Sequence, residues 1–113
     1  MMATRADWRI SSASNDFIRV RVNAKESGVV VNPTTDAVSF AFPSDAGAPG
    51  SFTAGSWETD ATTTPNTYYA RIRVGGTGSG ATKELANGNY HVYVKITDSP
   101  EVPVLLSGTL AVF

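Results

Sequence analysis

Apolar and polar residues alternate with a period of two through most of this chain, the pattern of strands with one buried face. Over residues 17–22, Ile18, Val20 and Val22 fall on one side and Phe17, Arg19 and Arg21 on the other. Over residues 36–42, Val38, Phe40 and Phe42 oppose the small Ala37, Ser39 and Ala41. Residues 68–74 place Tyr68, Ala70, Ile72 and Val74 against Tyr69, Arg71 and Arg73. Residues 90–96 place Tyr90, Val92, Val94 and Ile96 against His91, Tyr93 and Lys95. In the last stretch, 104–113, Leu106, Gly108, Leu110 and Val112 share a side, and Gly108 marks a bulge or a close contact. Two weaker strands complete the set. Residues 29–31 end at Pro33, which suits a sheet edge, and residues 52–60 carry Trp57 as a core filler. No segment sustains a period of 3.6, so the pattern predicts an all-β sandwich of about seven strands.

Turn-forming segments separate these strands. They are residues 24–28, the Pro/Gly-rich 43–50, the Thr-rich 61–67, and 97–103 with its two prolines. The glycine run 75–80 reads as a flexible hairpin tip: it lacks the Lys-Ser/Thr ending of a phosphate loop, and no helix follows it. Residues 1–15 read as an N-terminal arm, in which Trp8 and Ile10 precede the small-polar linker 11–15. Two readings of the arm stay open. It docks on the sheet as a first strand, or it lays Trp8 on a neighbouring subunit, because aromatics dominate interface energetics. Residues 16–113 then form a single β-sandwich domain.

Composition narrows the function classes. The chain has 113 residues, 42% hydrophobic and 17% charged, with formal net charge −1. That is one folded domain without the basic footprint of a nucleic-acid binder. No apolar run is long enough to span a membrane. There is no cysteine, so disulfides and thiolate chemistry are excluded. The first residues lack the apolar core of a signal peptide, and the expected compartment is the cytoplasm or a particle assembled there.

Candidate chemistry is sparse. His91 is the one histidine and has no sequence-adjacent ligand. Glu58 and Asp60 share a side of an extended segment but read as solvated charges, and no serine lies in a Gly-x-Ser-x-Gly elbow. No catalytic, cofactor or metal residue is expected. The stronger candidate is an interface. If their strands share one sheet, Tyr69, Arg71 and Arg73 with His91, Tyr93 and Lys95 form an aromatic and basic strip, to which the arm adds Trp8 and Ile10.

The corner Asn87-Gly88-Asn89-Tyr90 at the head of the 90–96 strand resembles the tyrosine corner of immunoglobulin-type sandwiches. Two longer stretches carry a second resemblance. One runs from Phe40-Ala-Phe through Gly55-Ser-Trp-Glu-Thr-Asp to Tyr68-Tyr-Ala-Arg-Ile-Arg-Val-Gly. The other runs from Gly88-Asn-Tyr-His-Val-Tyr-Val-Lys-Ile-Thr-Asp-Ser-Pro-Glu-Val-Pro to Gly108-Thr-Leu. Together they resemble small virion proteins of tailed bacteriophages that infect actinobacteria. More distantly, they look like the immunoglobulin-like N-terminal domain of phage baseplate upper proteins. The resemblance implies an immunoglobulin-like antiparallel sandwich with a virion location, present in multiple copies or as a homo-oligomer. It implies other virion proteins as partners, namely the major capsid protein or head–tail and tail proteins. It implies first a capsid-surface or decoration role, and alternatively a tail or baseplate module with weak glycan contact. It transfers no site residue.

Overall fold

The computed structural model describes residues 2–26, 29–44, 49–97 and 102–113. The predicted turn over 97–103 and the loop over 43–50 therefore lie partly outside the described residues. The strands are β1 (Met2–Ala3), β2 (Ala6–Ile10), β3 (Asn15–Asn23), β4 (Lys25–Glu26), β5 (Val29–Val30), β6 (Ala37–Ala41), β7 (Thr53–Ala54), β8 (Ser56–Asp60), β9 (Thr67–Gly76), β10 (Lys83–Leu85), β11 (Gly88–Thr97) and β12 (Val104–Val112). No helix occurs among the described residues. Sheet I contains β1, β3 and β9 in that order, and β8 and β10 share the far side of β9. Sheet II has the order β2-β12-β11-β6-β7.

The alternation in the sequence becomes the core between these sheets. Antiparallel pairing of β3 with β9 sets Ile18 opposite Ile72 and Val20 opposite Ala70, all 2% exposed or less. Across the gap, β6 and β11 pair Phe40 with Val94 and Val38 with Ile96. One apolar cluster joins the two layers, and burial of this kind is the main favourable term in folding. The chain changes sheet between β10 and β11. At that corner the Tyr90 hydroxyl donates to the carbonyl of Ala86 at 2.7 Å.

One open reading closes and three expectations change. Residues 2–10 are not a free arm: β1 pairs with β3, and β2 adds in parallel to β12 with Trp8 opposite Leu110 and Ile10 opposite Val112. Ile10 is buried and Trp8 packs against the core, so the reading in which the segment docks as a strand holds. The glycine run is not a hairpin tip. Gly75 and Gly76 are buried in β9, a Cβ at Gly76 would run into the backbone of Ser12, and β10 returns parallel to β9. The 29–31 segment lies outside both sheets, because β5 pairs with β4. Trp57 sits on β8, half-buried at the margin of the core, with its indole N–H donating to the Asp36 carbonyl at 2.8 Å.

The last strand holds one further difference. Val92 pairs with Gly108 and Tyr93 with Leu106, which leaves Ser107 as an extra, fully buried residue. A one-residue bulge reverses which side chains face inward upstream of it. Leu105, not Leu106, therefore packs on the core. Gly108 sits at φ 141°, and a Cβ there would fall on the carbonyl oxygen of Ala6. Both the bulge and the close contact expected at this glycine are present.

Candidate functional site

The outer face of sheet I gathers four arginines, Arg19, Arg21, Arg71 and Arg73, with Glu58. It follows from the side-chain alternation of β3, β8 and β9, since each residue pointing away from the core there is polar or aromatic. Cross-strand pairing sets Phe17 opposite Arg73, Arg19 opposite Arg71 and Arg21 opposite Tyr69. On the other side of β9, Ser56 faces Arg71 and Glu58 faces Tyr69. Directly opposed like charges destabilise a sheet, and Glu58 relieves that at Arg19 and Arg71. One of its carboxylate oxygens lies 2.7 Å from Arg19 and the other 3.5 Å from Arg71. The Glu58 hydrogen bond, then its charge, raises the Arg19 pKa above its ordinary value.

The aromatic rings supply the rest of the order. The Arg19 guanidinium lies 4.8 Å from the centre of the Tyr69 ring. Arg71 and Arg73 share the Phe17 ring, at 4.5 and 4.8 Å. Such contacts contribute about 0.5–1 kcal/mol at exposed sites. Their larger effect is to hold long side chains in one arrangement without covering them. Phe17 remains 42% exposed and Arg19 more than half exposed.

Arg21 differs from its neighbours. Among the described residues its side chain makes no hydrogen bond, ion pair or ring contact. It lines a pocket of about 460 Å³ at the end of sheet I, together with Asn23, Thr63, Asn66, Tyr68 and Tyr69. Among the described residues, no carboxylate lines this pocket. Asp60, on the strand leading into the loop, is turned back on itself. Its Oδ1 accepts from the Thr62 backbone N–H at 2.9 Å and hydroxyl at 2.5 Å, and the hydroxyl first, then the N–H, holds the carboxyl below its ordinary value.

The interface strip expected from the sequence is divided. Tyr69, Arg71 and Arg73 lie on β9 in sheet I, whereas His91, Tyr93 and Lys95 lie on β11 in sheet II, so the core separates the two groups. Within the second group, Tyr93 is only 9% exposed and Lys95 caps the Phe52 ring at 4.3 Å. His91 lines a shallow groove of about 390 Å³ with Asp7, Arg9, Asn89 and Thr109. There the Thr109 hydroxyl donates to Asp7 Oδ1 at 2.7 Å, and Arg9 lies 5.3 Å from the Phe113 ring. Trp8 and Ile10 contribute to packing, as described above.

Sequence reasoning missed Phe17, Arg19, Arg21 and Glu58 as members of one surface. A signal existed. Phe17-x-Arg19-x-Arg21 and Tyr69-x-Arg71-x-Arg73 are the same aromatic-Arg-Arg pattern on two strands, as expected of neighbours in one sheet. Among the described residues, no group of three His, Asp or Glu side chains is placed to hold a metal ion, and no helix is long and apolar enough to cross a membrane. No known family, curated protein or solved structure matches this chain.

Proposed function

We propose that this chain is a non-enzymatic structural protein of a tailed-bacteriophage virion, an immunoglobulin-like module that docks on neighbouring virion subunits through the outer face of sheet I. The single observation that carries the docking reading is the ordered, uncovered arginine–aromatic lattice on that face. Arg and aromatic side chains are enriched where protein interfaces gain most of their energy. Holding them in place beforehand lowers the ordering cost of association. The immunoglobulin-like reading is supported by strand order: β1-β3-β9-β8 against β2-β12-β11-β6-β7, with β2 parallel to β12. It is further supported by the Tyr90 hydroxyl bonded to the corner backbone. The virion reading is supported by the sequence resemblance. It places the protein on the capsid surface as a decoration or head–tail component, in contact with the major capsid protein or its neighbours.

The alternative is a tail or baseplate module with weak glycan contact. The feature that favours it is the groove on sheet II, where Asp7, Arg9, Asn89 and His91 offer convergent polar groups. Quantitative mass spectrometry of separated heads and tails distinguishes the two. Copies on heads in the hundreds support the decoration reading. A few copies confined to tails support the alternative, and absence from both ends the virion proposal.

A further inference from the structure

We infer that the pocket beside Arg21 is the specificity element of the docking face and accepts a carboxylate side chain, Asp or Glu, presented by a partner protein. The inference rests on the docking role proposed for sheet I and adds the chemistry of what docks.

Three of the four arginines on this face are already engaged. Arg19 and Arg71 share Glu58, and Arg73 stacks on Phe17. Arg21 is the one whose side chain has neither an ion pair nor a ring contact among the described residues. A guanidinium presents a planar fork of N–H donors that matches a carboxylate in two parallel hydrogen bonds. The rest of the pocket suits the same ligand. Asn23 and Asn66 supply amide donors, and the two tyrosines supply hydroxyls and flat apolar walls. The volume of about 460 Å³ exceeds what a lone ion fills and lies in the range of a side chain with its flanking backbone. Asp60, the carboxylate next to this loop, is satisfied internally by Thr62 and does not occupy Arg21.

A protein carboxylate fits better than a nucleic-acid backbone. A phosphate chain laid along this face would meet Glu58 and Asp60 as well as the arginines. The formal charge of the whole chain is −1, which supplies no long-range attraction for a polyanion. A single carboxylate entering at Arg21 meets only the uncompensated cation.

The test uses the isotope-labelled full chain and a short acidic probe, acetyl-Gly-Glu-Gly-Glu-Gly-amide, followed by amide chemical-shift changes. Saturable shifts at residues 21–23 and 66–69 are expected, and none with the glutamine version of the peptide. Arg21→Gln weakens binding about tenfold, the scale of one charge-assisted hydrogen-bonded pair, while Arg73→Gln leaves it within twofold. Equal binding by Arg21→Gln overturns the inference, as does the absence of saturable shifts at those residues. If oligothymidylate shifts the same amides at lower concentration, the site reads nucleic-acid phosphate and the proposal falls. The probe is free in solution, so this outcome is independent of the particle measurement. A chain present on heads but indifferent to the acidic peptide would retain its virion role and lose this site.

Discussion

At the scale of single residues, three positions make claims that separate cleanly. Gly108 carries both a positive φ and, among the described glycines, the least room for a Cβ, since its place is taken by the Ala6 carbonyl. Gly78 shares the first property, at φ 85°, but has open space around it. Gly78→Ala is expected to cost about 1–2 kcal/mol from backbone strain alone. Gly108→Ala must also push β2 from β12 and is expected to cost roughly 3 kcal/mol or more. Urea unfolding of the two variants side by side checks the difference. Tyr90→Phe removes only the hydroxyl bond to Ala86, and about 1 kcal/mol should go with it, without a change in urea m-value. Asp60 offers a pH test. Its folded pKa lies below the ordinary 3.8, so its contribution to stability is complete above that value and is lost as pH falls through the folded pKa. Thr62→Ala deletes the larger cause, the hydroxyl, and leaves the backbone N–H. The Asp60 carboxyl titration, followed by NMR, should move part of the way back up; an unmoved midpoint would show that the hydroxyl has no such role.

At the scale of strands, the alternation revealed inward faces well and pairing partners poorly. Ile18, Val20, Val22, Ala70, Ile72 and Val74 are all buried as their spacing predicts. Periodicity states which way a side chain points, but nothing in it says which sheet receives the strand. That is why β9 and β11, both aromatic and basic on their outer sides, were grouped although the corner at Tyr90 carries the chain across the core between them. Gly108 did signal the bulge, but not its consequence: the extra residue, Ser107, turns Leu105 rather than Leu106 toward the core, and the strand that closes on Gly108, β2, lies a hundred residues away in the sequence. The docking of residues 2–10 stayed open in the sequence because parallel pairing at an edge needs only two inward residues, Trp8 and Ile10, and leaves little pattern behind. On the outer face of sheet I, Glu58→Gln is the informative change. It leaves Arg19 and Arg71 opposed without their shared counter-charge. The pair is partly exposed, so the stability loss should stay below about 1 kcal/mol. It should also shrink as added salt screens the arginine repulsion. A loss that does not depend on salt would assign Glu58 a packing role instead.

At the scale of the whole molecule, the two sheets divide the work. Sheet II holds β2, and its inward residues close the core, whereas the outer face of sheet I carries arginines and rings that the fold itself does not need buried. The division can be tested with two variants that move opposite quantities. Trp8 is half-buried against the core opposite Leu110. Trp8→Ala should therefore lower the unfolding free energy by roughly 1–3 kcal/mol, less than for a fully buried aromatic. Once folded, this variant should bind particles that lack the chain as well as the native protein does. The double change Arg19→Gln with Arg73→Gln touches only exposed side chains. It should shift stability by less than about 1 kcal/mol and weaken particle binding about tenfold or more, as loss of interface arginines does. Co-sedimentation with such particles and urea unfolding give the two readouts. If Trp8→Ala alone abolished binding at temperatures where the variant is folded, the N-terminal strand would be the contact surface after all. The arginine lattice would then be a solvated face ordered by its own ion pairs. The opposite pattern would leave sheet I as the surface the particle sees, with Trp8 acting through the packing of β2 against the core.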